Sequence, residues 1–176
     1  MMKNFLFTLG LFFLMSLPIR VLPYHDDYKH TNQSRSNWLL TESEITYYVA
    51  GERVGYINYI KVPLAPVYVL YSFYIYPLYR NKGLGKRLFA YVCDYLHGIG
   101  ARRIYIQPGP FELDEGNEQI DITAPDRELK LKRLIRFYKN NDFVFVNKAL
   151  SFFASFLYKC IGISENPQYL MVKVIK

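Results

Sequence analysis

Beyond residue 45 the chain switches between two hydrophobic periods, and the switching predicts its elements. Residues 45–50 and 54–62 are rich in β-branched and aromatic side chains and flank Gly51-Glu52-Arg53, which predicts a hairpin. Pro63 and Pro66 break the pattern. The next run, 67–76, is apolar or aromatic on both faces, as expected of a strand at the centre of a sheet. The period then lengthens. Leu84, Leu88, Val92 and Leu96 recur every four residues, with Lys86, Arg87 and Asp94 elsewhere, so 84–97 should form an amphipathic helix stopped by Gly98 and Gly100. A short strand at 103–107 completes strand, glycine loop, helix, strand: a βαβ unit whose strands run parallel.

Residues 108–125 begin Pro-Gly-Pro, turn acidic, and read as a long loop of the kind that carries function or disorder. Asp126 is placed to cap a helix over 127–140, whose Leu131, Leu134, Ile135 and Tyr138 share a face. Residues 142–146 and 168–175 predict strands. Between them 148–161 predicts a helix that is apolar almost all round, fit to complete the core, pair two subunits or dock on a membrane. The expected fold is α/β (α+β): a mixed, mostly antiparallel central sheet with one parallel pair, flanked by helices.

The amino terminus breaks this rhythm. Residues 5–17 are interrupted only by Thr8, Gly10 and Ser16, a length nearer to a secretory signal core than to the roughly 20 residues of a membrane span. Residues 1–22 are therefore read as a signal-like or anchoring segment, with an interfacial amphipathic helix or an element packed on the domain as alternatives. Residues 23–37 are polar and read as a linker, which places the domain at 38–176. On this reading the chain is membrane-associated or exported, with the cytoplasm as the alternative.

A chain of 176 residues with 51% hydrophobic side chains makes one domain with a real core. Two cysteines and three histidines without ligand spacing argue against a metal centre. Cys93 and Cys160 lie on predicted helices and read as buried structural thiols. The net charge of +7 suggests nucleic acid, but its distribution does not. Residues 77–105 carry +5, 111–128 carry −6 and 129–141 carry +5. An acidic block between basic ones fits an anionic small molecule beside a cationic one better than a duplex.

The chemistry concentrates in Arg80-Asn81-Lys82-Gly83-Leu84-Gly85-Lys86-Arg87, between a strand and a helix start. Small residues let successive N–H groups converge on an anion, and the helix N-terminus adds partial positive charge. A Walker loop would need glycine at Arg80 and a hydroxyl at Arg87; a dinucleotide fingerprint would need a third glycine at Leu88. Both fail.

The stretch from Ile75 to Gly85, with Pro77, Arg80, Gly83 and Gly85 in place, resembles the acetyl-CoA signature of the GNAT superfamily of N-acetyltransferases. Asn81 stands where a glycine is common, and Asn tolerates positive φ. Phe137-Tyr138 through Asp142-Phe143 is similar to the family's second motif, with Asp142 in place of its glycine, and 171–173 suits the last strand. Two departures stand out: there is little room between Trp38 and Ile45 for the family's early helix pair, and Leu131 replaces a cofactor-touching Asn.

The resemblance implies a GNAT-like fold and transfer of acetyl from acetyl-CoA to an amine by direct attack. Phe73 and Ile75 would lie on a splayed strand pairing with the pantetheine arm. Arg80, Asn81, Lys82, Gly83, Leu84, Gly85 and Lys86 would hold the pyrophosphate, and a backbone N–H near Ile75 would meet the thioester carbonyl. Tyr138 would protonate the departing thiolate. No base is evident: 67–76 lacks a carboxylate, leaving Glu112, Asp114, Glu115 and Glu118, or a water route through Tyr71 or Tyr74. Collectively those acids point to a cationic acceptor such as a polyamine, lysine or basic peptide. The alternative is a non-catalytic acyl-CoA-binding or membrane-associated interaction protein that keeps a degenerate fold.

Overall fold

The computed structural model describes residues 26–33, 41–114, 118–146 and 169–175. The segment 1–22, the apolar stretch 148–161, Trp38, Glu115 and Cys160 lie outside the described residues. Among the described residues, no helix is long and apolar enough to cross a membrane.

Seven strands form one sheet: β1 (Asp26–Gln33), β2 (Thr41–Val49), β3 (Glu52–Lys61), β4 (Val67–Ile75), β5 (Arg103–Ile106), β8 (Val144–Phe145) and β9 (Met171–Val174). Their order is β1-β2-β3-β4-β5-β9-β8, and β4–β5 is its one parallel pair. Helix α1 (Leu84–Gly98) makes the crossover between those two strands, as the sequence predicts. Helix α2 (Ala124–Lys139) follows a two-stranded ribbon, β6 (Glu112–Leu113) with β7 (Gln119–Ile120), inside the segment read as a loop. The β2–β3 hairpin turns through Ala50 and Gly51, both at positive φ (53° and 84°), the geometry of a tight turn whose twist matches that of its strands.

Alternation along β4 assigns the two cores. Tyr68 and Leu70 join the face covered by Leu88, Phe89, Val92 and Leu96 of α1. Val67 and Val69 join Val62, Tyr105, Leu170 and Val172 in a second cluster. The four-residue stripe of α1 is buried as its period requires.

Two sequence expectations need correction. Residues 26–33, read as part of a polar linker, form β1, and the fold begins before Trp38. The strand is polar because its inward side meets a helix rather than the deep core. Alternate residues Asp26, Tyr28 and His30 meet Arg87, Tyr91 and Tyr95, which lie four apart on α1. Asp26 is 3.5 Å from Arg87, the Tyr28 ring stacks 3.6 Å from Tyr91, and His30 is hydrogen-bonded to Tyr91 at 2.8 Å. Two strand residues advance about 6.7 Å and four helical residues about 6 Å, so the two ladders stay in step. The second correction is small. Helix α2 starts one turn earlier, with Thr123 at the N-cap, Pro125 in the first turn, and the Thr123 hydroxyl donating to Asp126 at 2.9 Å.

Candidate functional site

The site begins with one extra residue in β4. Asn58 pairs with Ser72 and its neighbour Tyr59 with Leu70, so Tyr71 is bulged out of the ladder. The bulge resets side-chain parity: Phe73 and Ile75, like Tyr68 and Leu70, pack on the α1 side. Pairing of β4 with β5 ends at the same place, at Leu70 and Ile106. The strand therefore parts from its neighbour at Tyr71, earlier than the Phe73–Ile75 stretch named from the sequence. A cleft of about 510 Å³ fills the opening, with residues 71–75 on one wall and Ile106, Gln107 and Gly109 on the other. The Tyr71 hydroxyl is buried without a hydrogen-bond partner.

Past Ile75 the chain makes a 3₁₀ turn, Pro77–Tyr79, and enters the glycine loop. Asn81 takes φ 61° and Gly83 φ 76°, so asparagine does adopt the left-handed conformation expected of it. Gly83 is the N-cap of α1. The first-turn N–H groups have no intrahelical acceptor, as at any helix start. The Lys86 N–H turns back to the Gly83 carbonyl at 3.1 Å, which takes Lys86 out of the expected set of anion-holding amides, and Arg87 makes the first regular helical bond to the same carbonyl at 3.3 Å. At Gly85 a Cβ would point towards the cleft residues Phe73 and Ile75, in ordinary contact with Phe73 Cζ at 3.4 Å and Ile75 Cγ1 at 3.5 Å. Phe73, Ile75, Arg80, Asn81, Gly85 and Tyr138 all line the cleft. Lys82, Gly83, Leu84 and Lys86 are not among its lining residues.

Arg80 departs from its expected part. Its Nε donates to the Ile75 carbonyl at 2.8 Å, and its two terminal nitrogens donate to Glu112 at 2.8 and 2.7 Å. Lys130 of α2 donates to the same carboxylate at 2.8 Å. Burial works to raise the Glu112 pKa, but the hydrogen bonds from Arg80 and Lys130 prevail and hold it below the ordinary value. Glu112 is thus a poor base and no free anionic lure for a cationic acceptor. Asp114 accepts the Glu118 N–H at 2.8 Å, and Glu118 is exposed.

Tyr138 apart, the part of the far wall played by α2 was missed by sequence reasoning. Lys130, Arg133, Leu134, Phe137 and Tyr138 of α2 line it, an i, i+3, i+4, i+7 stripe that mixes two cations with apolar groups. That spacing was the available signal; reading only its apolar members hid the cations. Leu131 is not among the lining residues. Tyr138 is 3% exposed, and burial raises its pKa, so its hydroxyl keeps its proton across the working range. Asp142, after α2, takes φ 67°, the left-handed residue expected at that helix end.

These residues suit the acetyl-CoA implied by the glycine loop. Residues 71–75 offer about 13 Å of extended backbone no longer paired to β5. The lining cations Arg80, Lys130 and Arg133 outnumber Glu112, its one acid among the described residues. The missing side chain at Gly85 lets a ligand approach the loop closely.

Comparison with known proteins agrees with this geometry. The sequence model of the acetyltransferase (GNAT) family matches residues 13–115. The chain belongs to the GNAT acetyltransferase family. Its fold is similar to that of Tetrahymena GCN5, with 10% identity over 77% of this chain and 69% of that one, at a TM-score of 0.52. A GNAT-family acetyltransferase from Staphylococcus aureus Mu50 matches at 18% identity, 77% and 68% coverage and a TM-score of 0.51. The chain spans 57% of a GNAT-family protein from Desulfovibrio desulfuricans and 60% of the PaiA N-acetyltransferase from Thermoplasma acidophilum, at TM-scores of 0.42 and 0.45. No curated protein matches by sequence.

Proposed function

We propose that this GNAT-family chain is an N-acetyltransferase that carries acetyl from acetyl-CoA to an amine by direct attack. The observation that carries the reading is the parting of β4 from β5 at Tyr71, on a strand that leads directly into the glycine loop and α1. Backbone groups of 73–75 would hold the extended arm. The amides of Lys82, Gly83, Leu84 and Gly85 would hold the pyrophosphate at the helix N-terminus, beside Asn81. An N–H near Ile75 would steady charge developing on the thioester oxygen.

Fixing the acyl group in this cleft makes attack effectively intramolecular. The amine nitrogen bonds to the acetyl carbon, the carbon–sulfur bond breaks, and the nitrogen loses a proton to water. Tyr138 hands its proton to the sulfur and is refilled from solvent. Its burial keeps the phenol protonated, so a proton is at hand when the thiolate departs.

Titration of acetyl-CoA and of CoA into the full chain, followed by calorimetry, tests the reading. Saturable binding is expected. Tyr138→Phe should then lower turnover about a hundredfold while leaving CoA affinity within about twofold. A folded protein that binds neither ligand would refute the assignment and leave the non-catalytic interaction protein in its place.

A further inference from the structure

The cleft contains an anion of its own. Glu112 sits between Arg80 and Lys130 with three short charge-assisted contacts, two of them a parallel fork from one guanidinium. Its side chain is only 16% exposed. It therefore engages two of the three lining cations to which a phosphate in the cleft would turn. We propose that Glu112 is a built-in competitor for the phosphates of the acetyl donor, so that donor binding releases the segment that carries it from the cleft. This rests on the acetyl-CoA reading above.

The segment is held in a way that suits release. Phe111 and Glu112 line the cleft, and Phe111 and Leu113 both contact Tyr74. Phe111 stacks on Tyr74 with ring centres 5.2 Å apart, and the Leu113 N–H reaches the Tyr74 hydroxyl at a long 3.4 Å. Burial along the segment is partial throughout: Phe111, Glu112 and Leu113 are all half-buried. The Glu112 ion pairs are thus its strongest attachment. Arg80 is the pivot, because the same side chain sits beside the glycine loop and grips the segment. Its guanidinium cannot hold Glu112 with both terminal nitrogens and turn them to a phosphate at once. A donor diphosphate at the loop draws Arg80 and Lys130 away from the carboxylate, and the two charges left on Glu112's former partners are neutralised by the ligand. Phe111–Leu113 then leaves Tyr74, and the acceptor side opens only after the donor is in place.

Hydrogen–deuterium exchange of the full chain with and without CoA, alongside calorimetry of the wild type and Glu112→Gln, tests the proposal. CoA should raise exchange over 111–114 severalfold, although ligands ordinarily protect, and Glu112→Gln should bind CoA about tenfold more tightly. Unchanged or reduced exchange in the wild type on CoA binding overturns the proposal, whether or not the variant folds. Weaker CoA binding by a folded Glu112→Gln also overturns it, since Glu112 would then be orienting the cations for the donor. Absence of CoA binding by folded wild type would bring down the acetyl-CoA reading as well, which separates the two failures.

Discussion

The two walls of the cleft are made in different ways. The wall of β4, the glycine loop and α1 is written in backbone: a bulge at Tyr71, positive φ at Asn81 and Gly83, and a missing side chain at Gly85. The opposite wall of α2 and residues 111–113 is written in side chains: Lys130, Arg133 and a carboxylate gripped by Arg80. A backbone-built wall depends on residues next to each other in sequence. A charge-built wall depends on distant partners and can be exchanged for a ligand. On the proposed function, the first wall would hold the donor and the second would admit the acceptor.

Both walls stand on Phe89, and its removal should break the comparison altogether. This fully buried ring lies 5.6 Å from Phe73 on one side, and 5.2 and 5.5 Å from Phe137 and Tyr138 on the other. Phe89→Ala should cost about 3–5 kcal/mol in denaturant unfolding, the usual loss for a large buried aromatic. Gly83→Glu strikes the backbone wall alone, combining a strained left-handed residue with a carboxylate at the anion-facing helix start. CoA affinity should fall about a hundredfold by calorimetry. Arg133→Ala on the opposite wall should weaken it only about threefold, as for a single exposed cation. Equal losses from the two would erase the distinction.

Acid separates the walls more gently. Glu112 has a lowered pKa in the folded state, so its contribution is present above the ordinary value of 4.5 and is lost as pH falls through the lowered value. Protection over 111–114, taken relative to the intrinsic exchange rate at each pH, should therefore stay constant from pH 7 to 5 and fall only below the ordinary carboxylate range, while α1 remains protected. Loosening already at pH 6 would contradict the assigned partners. The smallest effect should come from Asp142→Gly. Removing a non-glycine residue from φ 67° should stabilise the end of α2 by up to about 1 kcal/mol, because the lost Lys173 contact at 3.4 Å is to a largely exposed carboxylate.

Much of the backbone wall is legible in the sequence. The four-residue stripe of α1, the apolar run of β4 and the glycine spacing are local signals, and each element forms where its period places it. Asn81 and Asp142 are readable for the same reason, since few residue types tolerate positive φ. The bulge is not legible. A strand apolar on both faces has no alternation for an extra residue to interrupt, so nothing marks Tyr71 as the point of parting. Arg80 is correctly placed in the loop by its spacing but wrongly aimed, because its partner Glu112 lies 32 residues away.

By itself, then, the sequence determined the β2–β3 hairpin, the βαβ crossover and the glycine start of α1, all set by the spacing of near neighbours along the chain. Tertiary structure alone decided that residues 26–33 are a strand, since Asp26, Tyr28 and His30 acquire their meaning only beside Arg87, Tyr91 and Tyr95. It alone decided that the acidic segment turns Glu112 inward. A charge or a ring carries no record in the chain of what it will face; that is settled when the helix and strand ladders come into register.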